Sequence, residues 1–272
     1  METEIILEKQ DLTYLKWSHI RNSSGTAGTF LKSQSTFDGK KIYYKLSNFD
    51  KENGIVGHEN INEIIVDRLL TVLGVEHLHY RLIYADIEVD GKIYTTYVCA
   101  SEDFKERGES KAALDAMYQV DKLKNENEYE YCKRLGFEDY IGTMLVIDYI
   151  ILNRDRHGAN IEVLRNARKH SLRIAPLFDH GVSLMFGCRN DEDFRNFDIL
   201  SDVSCNNFIG SRSTAQNLKL IGSQKLFKNE LNESHKEFIF KDLDNVISKV
   251  HRDKMWEMIF KRYQNYENIR NN

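Results

Sequence analysis

The spacing of apolar positions divides the chain into a strand-rich first part and a helix-rich second part. Strands with alternating apolar positions are predicted at 29–36, 41–46, 80–88 and 92–100. Asp38-Gly39 and Asp90-Gly91 are turn signals that would join these strands into two hairpins. Between the hairpins, apolar residues recur at helical spacing over 57–73, and Gly74 is suited to end that helix. A small sheet with one helix is therefore expected for the first hundred residues.

Helical spacing dominates the rest of the chain. Helices are predicted at 110–123, 126–134, 139–152, in segments after 217, and at 246–266. Two short strands at 161–164 and 172–178 flank a polar turn and are expected to form a hairpin. The segment 187–213 has no clear period, so it is either a plain surface loop or a loop that faces a substrate. The expected fold class is α+β.

Composition and charge narrow the classes of function. The 272 residues are 41% hydrophobic and 29% charged, which is typical of a globular protein. A net charge of −4 gives no basic surface for nucleic acid or anionic membrane, and no apolar run is long enough to cross a bilayer. The N-terminal residues lack the features of a signal peptide. We therefore expect a cytoplasmic protein that contacts neither nucleic acid nor membrane directly.

Cysteine usage agrees with that location. Four cysteines are scattered along the chain without a C-x-x-C pair, at Cys99, Cys132, Cys188 and Cys205. This spacing indicates reduced thiols, because a disulfide framework or a zinc site normally shows paired or regularly spaced cysteines.

The strongest chemical signal is a polar loop at 153–160 that is followed, after the hairpin, by Asp179-His180-Gly181. Asp155 and Asn160 have the spacing of the base and a metal ligand in the catalytic loop of protein kinases. Asp179 stands where those enzymes carry the magnesium-binding aspartate of Asp-Phe-Gly. The loop at 153–160 alone is more typical of an ordinary polar turn. The order of the two motifs, with a hairpin between them that can bring Asp179 back beside Asn160, favours the catalytic interpretation.

The first part of the chain contains weaker signals of the same kind. Small residues at 23–28, with two glycines, would let backbone N–H groups approach phosphates, although a flexible surface turn has the same composition. Lys45 lies on the predicted strand at 41–46, after the first hairpin turn. A kinase carries its phosphate-binding lysine at this place, although solvated strand lysines are also common. Glu59 or Glu63 could pair with Lys45, and Glu63 is preferred because it is nearer the middle of its helix. The strand end at 98–101 would form the hinge of a nucleotide cleft, which makes Val98 and Ala100 candidate contacts.

With these motifs the chain resembles the HipA-like serine/threonine kinases, in a short form that lacks the N-terminal subdomain of HipA. The resemblance implies a small β-rich N-lobe at 1–101 and a mostly helical C-lobe at 102–272. It implies Asp155 as catalytic base, Asn160 and Asp179 as Mg²⁺ ligands, and Lys45 paired with Glu63 as the ATP phosphate ligand. It also assigns a phosphate-covering role to the loop residues Ser24, Gly25, Thr26, Ala27 and Gly28.

The function implied by the resemblance is that of an ATP- and Mg²⁺-dependent protein serine/threonine kinase of the toxin type. Its substrate would be a protein, with a translation factor as one candidate, and an antitoxin encoded nearby is a candidate partner. Phosphorylation of its own glycine loop, at Ser24 or Thr26, would inhibit it. Two alternatives stay open at this point: a phosphoinositide-type lipid kinase and a pseudokinase that only binds nucleotide.

Overall fold

The computed structural model describes residues 4–18 and 30–271. The strands of the first part are β1 (Glu4–Asp11), β2 (Lys32–Phe37), β3 (Lys40–Lys45), β4 (Phe49–Asp50), β5 (Gly54–Ile55), β6 (Tyr80–Val89) and β7 (Lys92–Glu102). Five of them form a sheet in the order β1-β6-β7-β3-β2, in which only the β1–β6 pairing is parallel. β4 and β5 form a separate small hairpin.

The two predicted hairpins are present, and their turns have the backbone that the sequence requires. Asp38 and Gly39 have φ of 48° and 73°, and Asp90 and Gly91 have φ of 52° and 77°. Positive φ at both central residues matches the right-handed twist of the flanking strands, which is why Asp-Gly pairs are favoured there. The turns fix the register, so that Tyr44 lies opposite Ala100 and Lys45 opposite Cys99.

Helix α1 (Glu59–Leu73) packs its apolar residues against the sheet and the helices of the second part. It ends, as predicted, at Gly74, which adopts the left-handed conformation with φ 68°. Nearly all of its side chains are buried, including the polar Asn62, Glu63 and Asp67. A helix with so many buried polar groups must satisfy them with specific partners.

The second part of the chain is mostly helical, as predicted. Its helices are α2 (Leu114–Asp121), α3 (Glu128–Arg134), α4 (Glu138–Ile150), α5 (Asp191–Asn196), α6 (Thr214–Asn217), α7 (His235–Ile239) and α8 (Lys249–Asn271). Its strands are β8 (Ser110–Ala113), β9 (Asp155–Arg156), β10 (Glu162–Asn166), β11 (Ser171–Ile174) and β12 (Asn206–Asn207). The fold class is therefore α+β, with β10 and β11 forming the expected hairpin.

One predicted element has a different type in the structure, and one element was not predicted. The helix expected at 110–123 starts with strand β8, because residues 110–113 pair with 162–165 of β10 and only the remainder is helical. The first twenty residues gave no prediction, yet they contain β1, which borders the sheet. In both places, hydrogen bonding to a distant strand outweighs the local pattern.

Two clusters of buried side chains form the core of the described residues. The larger one includes α1, α4 and α8 together with Leu177 and Leu184. The smaller one lies on the sheet beneath Leu12 and Leu15, and it includes Val98 and Ala100. Over the ranges 4–18 and 30–271, no helix is long and apolar enough to cross a membrane.

Candidate active site

A cleft of about 540 Å³ opens between the sheet and the segment that carries Asp179. The sheet contributes side chains from β2, β3 and β7, and the opposite wall includes Phe178 and Asp179. Lys45 and Glu63 line the same cleft. A cavity of this size, with a few polar groups converging in it, is typical of a small-molecule site.

Lys45, Glu63 and Asp179 meet in this cleft. The Lys45 Nζ donates to Glu63 Oε1 at 3.0 Å and to Asp179 Oδ1 at 2.5 Å. Glu63 is 1% exposed at its side chain, whereas Lys45 and Asp179 keep 13% and 16%. The structure thus contains the predicted Lys45–Glu63 pair and brings Asp179 to the same ammonium group. Glu59, the alternative partner, instead accepts the backbone N–H of Asn48.

The triad places two carboxyl groups around one ammonium group. Burial acts to lower the pKa of Lys45, but the carboxylates of Asp179 and Glu63 outweigh it and raise that pKa, so the lysine is charged. Burial raises the pKa of Glu63, while the Lys45 ammonium acts the other way.

Helix α1 holds the Asp179 segment by direct hydrogen bonds. Glu63 Oε2 accepts the N–H of His180 at 2.8 Å, and the Asn62 amide donates to the carbonyls of Gly181 and Ser183. At Gly181 a Cβ atom would lie 3.1 Å from Glu59 Cβ, so a side chain there would press against the helix. A larger residue at Gly181 would therefore require a small shift of Glu59 in α1.

His180 has a structural place in this motif. Its side chain is 1% exposed, and burial lowers its pKa well below the usual value, so the ring is neutral. The neutral ring fills the interior beside α1, where the corresponding residue of Asp-Phe-Gly is apolar.

A buried arginine joins the two motif segments. Arg156 is 1% exposed and forms an ion pair with Asp148 of α4, with its Nε 3.0 Å from Asp148 Oδ2. Its Nη1 donates to the carbonyl oxygens of Asn160 and Phe178, at 3.3 and 2.8 Å. One guanidinium therefore holds the backbone of both segments that carry the proposed metal ligands. Sequence reasoning did not assign this role to Arg156, because a buried and an exposed arginine look alike in a sequence.

Asp155 and Asn160 lie in the loop that follows α4. The Asn160 amide donates to the backbone carbonyl of Asp155 at 2.9 Å, which closes the loop. The Asp155 carboxylate accepts a hydrogen bond from Asn206 of β12 at 3.1 Å, and its side chain remains 36% exposed. At Gly158 a Cβ would lie 2.3 Å from Asp115 Cβ, so this position requires glycine. Asp155 is thus fixed at its backbone but accessible at its carboxylate.

At the predicted hinge, the side chains of β7 alternate between the core and the cleft. Val98 and Ala100 lie in the smaller core cluster and not on the cleft, whereas their neighbours Cys99 and Ser101 line it. Successive side chains of a strand point to opposite faces of the sheet. In β7 the side chains of Cys99 and Ser101 are on the face that lines the cleft.

The proposed phosphate-covering loop lies outside the described residues. Ser24, Gly25, Thr26, Ala27 and Gly28 all fall between the described ranges 4–18 and 30–271. The first described residue after the loop is Phe30, whose ring centroid is 4.9 Å from the Lys45 Nζ. The Phe30 ring therefore lies beside the triad.

The donor set at this site fits a divalent cation that prefers oxygen ligands. Asp179 has a carboxylate at the cleft, and Asn160, which is buried and is not among the residues that line the cleft, has an amide oxygen in a segment held by the same arginine. Carboxylate and amide oxygens are the ligands that Mg²⁺ takes up in proteins.

Comparison with solved structures shows which fold this chain has. No protein-family model matches the chain, and no curated protein matches it. A proinflammatory kinase of Helicobacter pylori, CtkA, is similar with a TM-score of 0.59 at 16% identity, over 96% of this chain and 97% of the other. HipA of Shewanella oneidensis, solved with HipB and operator DNA, is similar with a TM-score of 0.52 at 13% identity, over 91% and 67%. The chain has the HipA-like kinase fold that its sequence predicts.

Proposed function

We propose that this chain is an ATP- and Mg²⁺-dependent protein serine/threonine kinase. The observation that carries the proposal is the triad of Lys45, Glu63 and Asp179 at the floor of a cleft in a HipA-like fold. A buried lysine held between two carboxylates is positioned to bind phosphate oxygens, and one of those carboxylates is positioned to bind a metal. The N-lobe at 1–101 and the C-lobe at 102–272 would close around the nucleotide.

The residues of the chain would contribute position and charge more than covalent chemistry. Lys45 would bind phosphate oxygens of ATP, and Glu63 would hold Lys45 in place. Mg²⁺, held by Asp179 and Asn160, would neutralise charge on the phosphates. Asp155 would accept the proton of the attacking hydroxyl, since its carboxylate is accessible while its backbone is fixed.

The substrate and partners follow from the resemblance. The HipA neighbour was solved with HipB and operator DNA, so an antitoxin encoded nearby is the proposed partner for this chain as well. A protein, with a translation factor as one candidate, is the proposed phosphate acceptor.

The loop residues Ser24 and Thr26 are the proposed sites of self-phosphorylation. A phosphate adds about −1.5 to −2 charges and would compete with ATP for Lys45. We predict one added phosphate after incubation with Mg·ATP, preferentially at Ser24, together with loss of ATP binding. Intact-mass measurement checks this, with Asp155→Asn as the inactive control. An unmodified active enzyme, or a modified form that binds ATP equally well, would contradict it.

The substrate class is tested by offering different acceptors with γ-labelled ATP. Label should enter proteins, including this chain itself, and phosphoserine or phosphothreonine should be found after hydrolysis. Label only in phosphoinositide vesicles would assign a lipid kinase. ATP binding without any transfer would assign a pseudokinase.

A further inference from the structure

A cluster of potential metal ligands lies outside the cleft, where α1 meets the loop before β6. Asp67 Oδ1 is 2.9 Å from His77 Nε2 and 3.1 Å from His79 Nδ1. These three ligand atoms all lie within 4.8 Å of one another. The side chains of Asp67 and His77 are 0% and 3% exposed, and that of His79 is 37% exposed. The cluster is thus buried on two sides and open to solvent at His79.

The contacts of His77 orient its ring toward Asp67. Its Nδ1 lies 2.7 Å from the carbonyl oxygen of Val75, which can only accept, so Nδ1 carries a hydrogen. In the neutral ring Nε2 then presents a lone pair, and it faces a carboxylate oxygen of Asp67 at 2.9 Å. A metal ion bound to both atoms would accept both of these lone pairs.

Several contacts favour the metal ion. A histidine that binds a metal through Nε2 usually donates its Nδ1–H to a backbone carbonyl, as His77 does to Val75. The second Asp67 oxygen accepts the backbone N–H of Tyr80 at 2.7 Å, which orients the carboxylate as such outer partners do. His79 Nδ1 lies 3.1 Å from the same oxygen, is the third ligand atom of the cluster, and leaves access for a fourth ligand from solvent.

We propose that Asp67, His77 and His79 form a binding site for a zinc-type divalent transition-metal ion. Two imidazoles and one carboxylate are a ligand set that suits Zn²⁺ and disfavours Mg²⁺, which prefers oxygen alone. The site is separate from the proposed magnesium ligands Asn160 and Asp179, and it does not depend on the proposed catalytic activity.

The ion would fasten α1 to the segment that leads into the active site. Asp67 follows Glu63 by four residues, so both lie on one face of the helix. His77 forms a β-bridge with Leu177, two residues before Asp179, and the Tyr80 hydroxyl accepts the N–H of Asp179 at 3.1 Å. A metal at Asp67 would therefore hold the helix that positions Lys45.

The test is a titration of the metal-free chain, prepared without a histidine tag, with Co²⁺ in excess Mg²⁺. We expect one Co²⁺ per chain, with the weak visible bands of nitrogen and oxygen ligands and no thiolate charge-transfer band from the cysteines. His79→Gln removes one half-exposed ligand. It should weaken Co²⁺ binding by more than about 10-fold, because loss of an outer partner alone typically costs about 10–100-fold in metal affinity. Zn²⁺ should displace the Co²⁺.

One control variant and one further ligand variant complete the test. His170→Asn changes an exposed histidine with φ of 50°, a conformation that asparagine tolerates, and should bind Co²⁺ like the wild type. Asp67→Asn keeps an acceptor for Tyr80 but loses the anionic ligand, so it should also weaken binding. The proposal is overturned if the wild type takes up no Co²⁺ in excess, which would leave a hydrogen-bonded cluster only. Equal affinity in His79→Gln would overturn it as well.

Discussion

Asp179 has a backbone conformation that few residues adopt easily. Its φ of 59° lies in the left-handed region, where aspartate and asparagine are tolerated better than most residues. Its backbone N–H donates to the Tyr80 hydroxyl, and its carboxylate reaches Lys45. Substitution by asparagine therefore changes the charge at this position while keeping the backbone, which makes Asp179→Asn the appropriate probe of the metal site.

For Asp179→Asn we predict that ATP affinity no longer increases when Mg²⁺ is added. The reason is that the variant removes the more exposed of the two triad carboxylates, since the Asp179 side chain is 16% exposed and that of Glu63 is 1% exposed. Titration of ATP with and without Mg²⁺ measures the effect. An unchanged dependence on Mg²⁺ would remove Asp179 from the set of metal ligands.

Asp155→Asn should separate catalysis from binding. The Asp155 carboxylate contacts Asn206 and not the Lys45 triad, so nucleotide affinity should stay near that of the wild type. The transfer rate should fall by roughly 10²–10⁴, as is typical when a general base is removed. Single-turnover transfer and ATP binding are measured on the same preparation. A variant that keeps most of the wild-type rate would show that Asp155 is not the base.

At the scale of single residues, the sequence predicted those residues whose type and spacing indicate a chemical role. Lys45, Glu63 and Asp179 could be named because each lies at the expected place within a predicted element, and the structure brings them together. Arg156 and Asn62 could not be assigned, since their roles depend on which distant carbonyl oxygens they reach. The side chains of Val98 and Ala100 lie in the core, because a one-residue difference along a strand selects the opposite face.

At the scale of elements, α1 connects the sheet to the second part of the chain. Its N-terminal neighbour His58 packs against His251 of α8 with ring centroids 4.7 Å apart, and His251 stacks on Phe194 of α5 at 3.8 Å. Burial lowers the pKa of His58 to about 4 and that of His251 to about 3. Both rings are therefore neutral in the folded protein at neutral pH.

This cluster predicts a loss of stability in mild acid. Histidines of the unfolded chain bind protons near pH 6.5, whereas the folded pKa values are lower, so the unfolded state gains protons first as pH falls. His58 alone should lower the free energy of unfolding by about 3 kcal/mol between pH 6.5 and 4. Urea unfolding across this pH range measures the loss.

The matched variant for this prediction is His251→Phe, which retains an aromatic ring against Phe194 and cannot take up a proton. Its stability should decline less steeply than that of the wild type between pH 6.5 and 4. Identical slopes for the two proteins would contradict the assignment of the loss to this cluster.

The sequence also predicted most elements, for a physical reason. α1, the Asp-Gly hairpins and the hairpin of β10 and β11 are specified by local spacing and turn chemistry. β1 and β8 were missed because each is specified by a strand far away in the sequence. Short edge strands with mixed exposure have no clear period to read.

At the scale of the whole molecule, the cleft depends on contacts between the two parts of the chain. Asn62 and Glu63 of α1 bond to the Asp179 segment, and Arg156 bonds that segment to the loop of Asn160. The groups that would bind phosphate, metal and hydroxyl are therefore held by one connected set of buried polar contacts. Such a set favours a preformed site over one assembled only when substrate binds.

The most direct test of the central claim is transfer of the γ-phosphate of labelled ATP to protein hydroxyl groups. The wild type should form labelled phosphoserine or phosphothreonine when Mg²⁺ is present and none after chelation. Asp155→Asn, prepared in parallel and shown to bind ATP, should give at most about 1% of the wild-type rate. Equal labelling by the wild type and this variant, or no protein labelling by the wild type with any acceptor, would contradict the account.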